Sequence, residues 1–194
     1  MKQKLLHKLN KRHGFSLTEM LATVLIMGFV GIIITTGAAT VQRVYRKVVA
    51  HANAQTALTT TITLMKDQLA FADPESVGNG SETGTGFGNS QTIVFKNLNS
   101  GEQTITLNPG TANRGFTLTY TAGNGTGTSS TTLPLLSDSA ITSDLCVCFD
   151  GTDSGFSWDP ATQVITVTNL VAKDTRTDTV QARASFKVLL VNDK

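Results

Sequence analysis

From Met20 to Gln42 the chain runs for 23 residues without a charged side chain, and most of those residues are apolar. At about 1.5 Å of rise per residue, a helix of that length reaches across a hydrocarbon core of roughly 30 Å. The run predicts a transmembrane helix over about residues 20–42, with everything after it held outside the membrane. Before it stand a basic, turn-forming KRHG (residues 11–14) and one isolated carboxylate, Glu19, at the edge of the apolar stretch.

Glu19 makes this more than a generic anchor. A carboxylate inside a bilayer costs roughly 2.5–3.5 kcal/mol at the centre, so a partner for it has to be named. If the chain is cut after Gly14, the new amino terminus falls on Phe15, four residues before Glu19 and on the same helical face. That amine can neutralise its own Glu19 or the Glu19 of a neighbouring chain.

The stretch Gly14, Phe15, Ser16, Leu17, Thr18, Glu19, Met20 and Leu21 resembles the prepilin signature of type IV pilins and type II secretion pseudopilins. The shared pattern is a short basic leader ending in Gly, then Phe, three residues, Glu and a long apolar segment. The resemblance covers about residues 11–42 and implies that a membrane-embedded prepilin peptidase cuts after Gly14 and methylates the amine of Phe15. It further implies that Glu19 aids docking by pairing with another subunit's amine, and that the hydrophobic helices bundle into a filament core. An uncleaved signal anchor is the plain alternative. A secretory signal peptide fits less well, because its apolar region runs about 7–15 residues and ends at an A-x-A-like site. Many major pilins carry a proline near the position of Thr36, and this segment has none. Gly28, Gly31 and Gly37 weaken the helix instead, each by up to about 1 kcal/mol. The missing proline tilts the reading toward a minor pilin or a pseudopilin.

The charge is divided along the chain. Residues 1–14 read as a leader holding five of the sixteen basic residues and none of the fourteen acidic ones, which leaves eleven against fourteen in the remainder. The leader should stay cytoplasmic and the C-terminal part should be exported, although Arg43, Arg46 and Lys47 soften the contrast. A mature chain of net charge −3 offers no general basic field, so nucleic acid is not expected as a partner.

Beyond the apolar run, Val41, Val44, Tyr45, Val48, Ala52, Gln55, Leu58, Ile62, Met65 and Leu69 follow three- and four-residue steps. No Gly or Pro interrupts Ala38 to Asp73, which predicts one helix over residues 15–73 that stops before Pro74. Thr56 to Thr63, rich in β-branched residues, is its weakest part. Residues 74–90, with GNGSETGTGFG, read as a Gly-rich linker or loop. Residues 91–194 alternate as a β-rich head of six or seven strands, with a second Gly/Ser/Thr loop at GNGTGTSST. The expected fold is α+β: a long N-terminal helix packed on a mainly antiparallel sheet, the ladle shape that the resemblance also implies.

Little in the head points to chemistry. His51 is the one histidine outside the leader, and no nucleophile or metal spacing gathers around it, so no enzyme activity and no cofactor are expected. Cys146 and Cys148, two apart on a strand, share a face with near-parallel side chains. A mutual disulfide would need distorted backbone, and they read as buried small hydrophobes. In FDGTDSGFSWDP, Asp150, Asp153 and Asp159 offer oxygen ligands on a Gly-rich turn, and the resemblance brings with it the structural calcium that the major pseudopilins of type II secretion hold near the C-terminal end. The full loop spacing and the bidentate Glu are missing, so a hairpin with side-chain-capped turns is favoured and no metal is expected. Phe156 and Trp158 read as packed aromatics.

The sequence thus points to a structural subunit, a minor pilin or pseudopilin. Its expected partners are the prepilin peptidase, the membrane and other pilin subunits met through the N-terminal helix. A membrane-tethered extracellular binding module that never polymerises is the alternative from another class.

Overall fold

The structure, a computed structural model, describes residues 15–97, 103–109, 115–124, 127–137 and 144–191. Gly14 and the rest of the expected leader lie outside the described residues. The chain divides into two units after Lys47.

Helix α1 spans Leu17–Leu69, 53 residues. It starts after Ser16, whose carbonyl accepts from the N–H groups of Glu19 (2.9 Å) and Met20 (3.1 Å). The threonine-rich stretch that propensity marks as weak stays helical throughout. The hydroxyls of Thr56, Thr59, Thr60, Thr61 and Thr63 each donate to the carbonyl four residues back, at 2.8–3.0 Å. A threonine that bonds back in this way satisfies its own polar group on the helix surface.

The helix ends at Leu69 rather than running on to Asp73. Ala72 donates to the carbonyl of Leu69 (3.1 Å), and Asp73, extended at φ −77° and ψ 119°, caps a 3-10 turn at Pro74–Ser76. The residue before a proline is pushed out of the helical region, so the break falls upstream of it.

Nine strands follow among the described residues: β1 (Phe87–Ser90), β2 (Ile93–Lys96), β3 (Thr104–Pro109), β4 (Phe116–Asn124), β5 (Gly127–Pro134), β6 (Leu145–Phe149), β7 (Gly155–Asp159), β8 (Val164–Asp174) and β9 (Thr179–Leu189). They form two antiparallel sheets rather than one. The four-stranded sheet runs in the order β2-β3-β4-β5. The five-stranded sheet is built on β8, which pairs with β9 along its length and with β7 and β6 in succession, while β1 flanks β7. The hand-over between β7 and β6 falls at Asn169 (φ 53°), between Thr168, which pairs with Gly155, and Leu170, which pairs with Phe149.

Three stretches carry more structure than their composition suggests. Residues 74–90, expected as linker, are fastened to β2. Asp73 donates to the Lys96 carbonyl (2.8 Å), Lys96 donates to Ser76 Oγ (2.8 Å), and Gly78 and Val94 exchange both backbone bonds at 2.8 Å. Gly78 is required there because a Cβ would collide with the Glu82 carbonyl. Much of GNGTGTSST, expected as loop, is the facing ends of β4 and β5. The segment GFSWD, read within a turn-rich acidic stretch expected to form a hairpin with capped turns, is β7, and it does pair with β8 as a hairpin.

Within the second unit, α1 buries Ala54, Ala57, Leu58, Thr61, Met65 and Leu69. Those side chains share one core with Ile93, Phe95, Ile105 and Leu107 of the first sheet and Phe156, Ile165, Val167 and Leu170 of the second. Each large side chain buried there contributes about 1.5–3 kcal/mol. The arrangement is the expected α+β class, a long helix packed on antiparallel sheets.

Candidate functional site

The N-terminal unit is built around the start of α1. Ser16 is the cap, and Glu19 occupies the third helical position, so Ser16 and Glu19 have the Ser-x-x-Glu spacing of a capping box. Ser16 Oγ instead pairs with Thr18 Oγ1 at 2.7 Å, so the box is not closed and the Ser16 carbonyl accepts only the first helical bonds. This leaves the Glu19 carboxylate in the first turn, beside the free N–H groups and the positive end of the helix dipole. Among the described residues no ion pair or side-chain hydrogen bond engages it, and Glu19 is exposed. Phe15, one turn before it, is 73% exposed. The capping spacing was present in the sequence and was missed there, because the same carboxylate was read only for its charge.

From Phe15 to Asn53 every residue is exposed, including Leu17, Leu25, Phe29, Ile33, Val41 and Val48. α1 is the one helix among the described residues that is long and apolar enough to cross a membrane. Its threonines do not spoil that surface. The hydroxyls of Thr23, Thr35, Thr36 and Thr40 donate to carbonyls of the preceding turn at 2.8–3.0 Å, so each donor is satisfied inside the helix. Hydrocarbon demands such internal pairing, since an unsatisfied polar group there costs several kcal/mol. No Cβ built on Gly28, Gly31 or Gly37 would meet another part of the chain. Farther along, His51 and Gln55 pair with each other at 3.0 Å on the exposed surface of the helix.

A family model, the prokaryotic N-terminal methylation motif, matches residues 9–35. The chain therefore carries the signature of type IV pilins and pseudopilins, a family of structural proteins, on an N-terminal helix suited to a single membrane span. No curated protein and no solved structure matches the chain.

The head does not gather the acidic residues singled out in the sequence. Asp150 accepts from Arg183 (Oδ2 to Nη2, 2.7 Å). Asp159 accepts from the Ala161 N–H (3.1 Å) and the Thr162 hydroxyl (2.7 Å), which caps the β7–β8 turn and holds its carboxyl below the usual range. The Asp153 carbonyl accepts from Asn169 Nδ2 at 3.2 Å. Among the described residues no group of three or more His, Cys, Asp or Glu is placed to hold a metal ion. Phe156 is fully buried and packs edge-on against Phe149 and Phe116 at centroid distances of 5.1 and 6.3 Å, with Trp158 buried beside it on β7.

The cysteines differ from their expected setting. Leu145 and Val147 of β6 point into the core, so Cys146 and Cys148 stand on the opposite face, free and half-buried. Cys146 is directly across from Lys173 on β8, and Cys148 from Val171. The hydrogen bond between the thiols, then the Gly115 N–H and the charge of Lys173, bring Cys146 down from 9.0 to about 6 against the opposing effect of burial. The same hydrogen bond, with burial, pushes Cys148 far up.

Proposed function

We propose that this chain is a non-enzymatic structural subunit, a minor pilin or pseudopilin, of a type IV pilus or a related secretion or DNA-uptake pseudopilus. Residues 1–14 are its leader, Gly14 is the last leader residue, and Phe15 becomes the methylated terminus after cleavage by the prepilin peptidase. The apolar part of α1, about residues 20–42, first holds the subunit in the cytoplasmic membrane with the head exported. It then leaves the bilayer for a filament core, where Glu19 pairs with the amine of a neighbouring subunit.

The observation that carries this reading is the methylation motif, which runs into a helix whose residues from Phe15 to Asn53 are all exposed. An apolar surface of that extent requires either lipid or other helices.

The test is the N-terminal mass of the membrane-extracted protein from cells with and without the prepilin peptidase. A terminus at Phe15 bearing one methyl group, found only with the peptidase, supports the proposal. An intact leader in both strains overturns it and leaves a tethered module with an uncleaved anchor.

A further inference from the structure

We propose that Cys146 and Cys148 form a two-coordinate site for a soft monovalent cation of the copper(I) type on the outer face of the five-stranded sheet.

The argument starts from spacing. Residues two apart on a strand lie about 6.6 Å apart along it, with side chains on one face. A disulfide needs Cβ atoms about 3.5–4.5 Å apart, so β6 holds this pair too wide for a relaxed S–S bond. Two metal–thiolate bonds of about 2.3 Å placed end to end span about 4.6 Å, a gap that two thiols close by leaning toward each other. Cys146 and Cys148 are placed for this, both free and half-buried on the face of β6 that turns away from the core.

Ligand number selects the ion. Four-coordinate zinc needs two more protein donors, and among the described residues no third His, Cys, Asp or Glu joins the pair. Thiolate is a soft ligand that prefers soft ions such as copper(I), and two thiolates suffice for linear coordination. Binding joins two thiolates to the metal through two metal–sulfur bonds, releases whatever protons the thiols still hold at the working pH, and transfers no electron. The bound site carries one net negative charge.

Two cations stand near that charge. Lys173 stands opposite Cys146 and Arg183 opposite Val171, which lies between Arg183 and Cys148 across the sheet. Each cation also pairs with an acid, Lys173 with Asp178 at 2.6 Å and Arg183 with Asp150 at 2.7 Å, so the face around the thiols mixes both signs. Both cysteines are half-exposed, so an ion reaches them without opening the core.

The test uses the full chain in detergent, reduced and without oxygen, titrated against copper(I) held by a coloured chelator. The proposal expects one copper(I) per chain to be withdrawn from the chelator. Cys146→Ser and Cys148→Ser should each weaken binding by more than about 100-fold, beyond the effect typical of losing a second-shell group. Retention of all copper by the chelator against the unmodified chain overturns the proposal without reference to any variant. So does a serine variant that folds, by circular dichroism, and still withdraws one equivalent at unchanged affinity. Mass spectrometry after air exposure adds an independent check: both thiols should still alkylate once the chain is denatured, whereas quantitative loss of two hydrogens to a Cys146–Cys148 disulfide would refute the spacing argument.

Discussion

Val191 donates its backbone N–H to the carbonyl of Ala70 at 2.9 Å, tying the segment that follows β9 to the residue just past the end of α1. Leu190, beside it, is 4% exposed and belongs to the shared core. The carbonyls at a helix C-terminus lack partners within the helix, and here one of them is supplied from the far end of the described chain. Leu190→Ala should destabilise the protein by about 2–4 kcal/mol, the range for truncating a buried leucine. Urea denaturation of the detergent-solubilised full chain, followed by Trp158 fluorescence, measures it.

Gly155 opens β7 at φ +139°, and a Cβ added there would stand 2.5 Å from the Ser90 carbonyl of β1. Gly155→Ala therefore combines an unfavourable backbone region, worth about 1–3 kcal/mol, with a collision against the neighbouring strand. The expected result is lower stability together with loss of hydrogen-exchange protection in Phe87–Ser90. Unchanged protection in β1 would show that this close approach does not matter.

Glu19→Ala should leave cleavage and membrane insertion intact while reducing the subunit's recovery in sheared filaments. A loss of about 1.4 kcal/mol per docking event already lowers incorporation about tenfold. Filament recovery equal to that of the unmodified chain would favour a tethered, non-polymerising module. The free carboxylate in the first turn would then serve only the helix dipole.

Asp159 and Asp174 both cap turns through backbone N–H groups, with Thr162 adding a hydroxyl at Asp159, and both carboxyls are held below their ordinary value of 3.8. A depressed carboxylate contributes stability that is present above its unfolded value and is lost as pH falls through its folded value. The protein should therefore weaken on acidification below 3.8. The double variant Asp159→Asn, Asp174→Asn should show a shallower acid limb in a stability-versus-pH series.

Cys146 should alkylate as a thiolate whose formation has its midpoint at about 6, appearing as pH rises through that value, while Cys148 stays inert over the same range. An ordinary cysteine does this near 8.5. Rates of iodoacetamide labelling, resolved by peptide mass, distinguish the two residues. Lys173→Met should move the Cys146 midpoint upward, because it removes one of the interactions that lower it.

The N-terminal reading was legible because its information is one-dimensional: the spacing from Gly14 to Phe15 to Glu19 and the length of the uncharged run need no tertiary contact to be seen. Leu58, Met65 and Leu69 were legible as a buried stripe for the same reason, since apolar side chains at helical steps mark a face. Ala54 and Thr61 were not, and Ala52 and Gln55 were taken in place of Ala54, because small and β-branched residues carry no size or polarity signal at the rim of a stripe. β5 and β7 were hidden by composition. Gly, Ser and Thr spell loop until a neighbouring strand satisfies their backbone groups, and Asp150, Asp153 and Asp159 drew attention away from the alternation in GFSWD. The parity of β6 was ambiguous because LCVCF offers apolar side chains to both faces. The burial of Leu145 and Val147, with Cys146 set across from Lys173, shows which face meets solvent.

The central place of β8 also sets an order of events. It is the next-to-last of the nine described strands, yet β6, β7 and β9 all hydrogen-bond to it, and β1 reaches the sheet only through β7. During synthesis from the N-terminus, β6 has no partner and β1 and β7 have only each other until residues 164–174 exist, so the five-stranded sheet cannot cover the core before then. Local closure of the β7–β8 and β8–β9 hairpins is fast, whereas bringing β6 in closes a longer loop. A chain interrupted before β8 therefore exposes Met65, Leu69 and Phe156 together, a sticky surface that chaperones and proteases recognise, so that only completed molecules escape disposal.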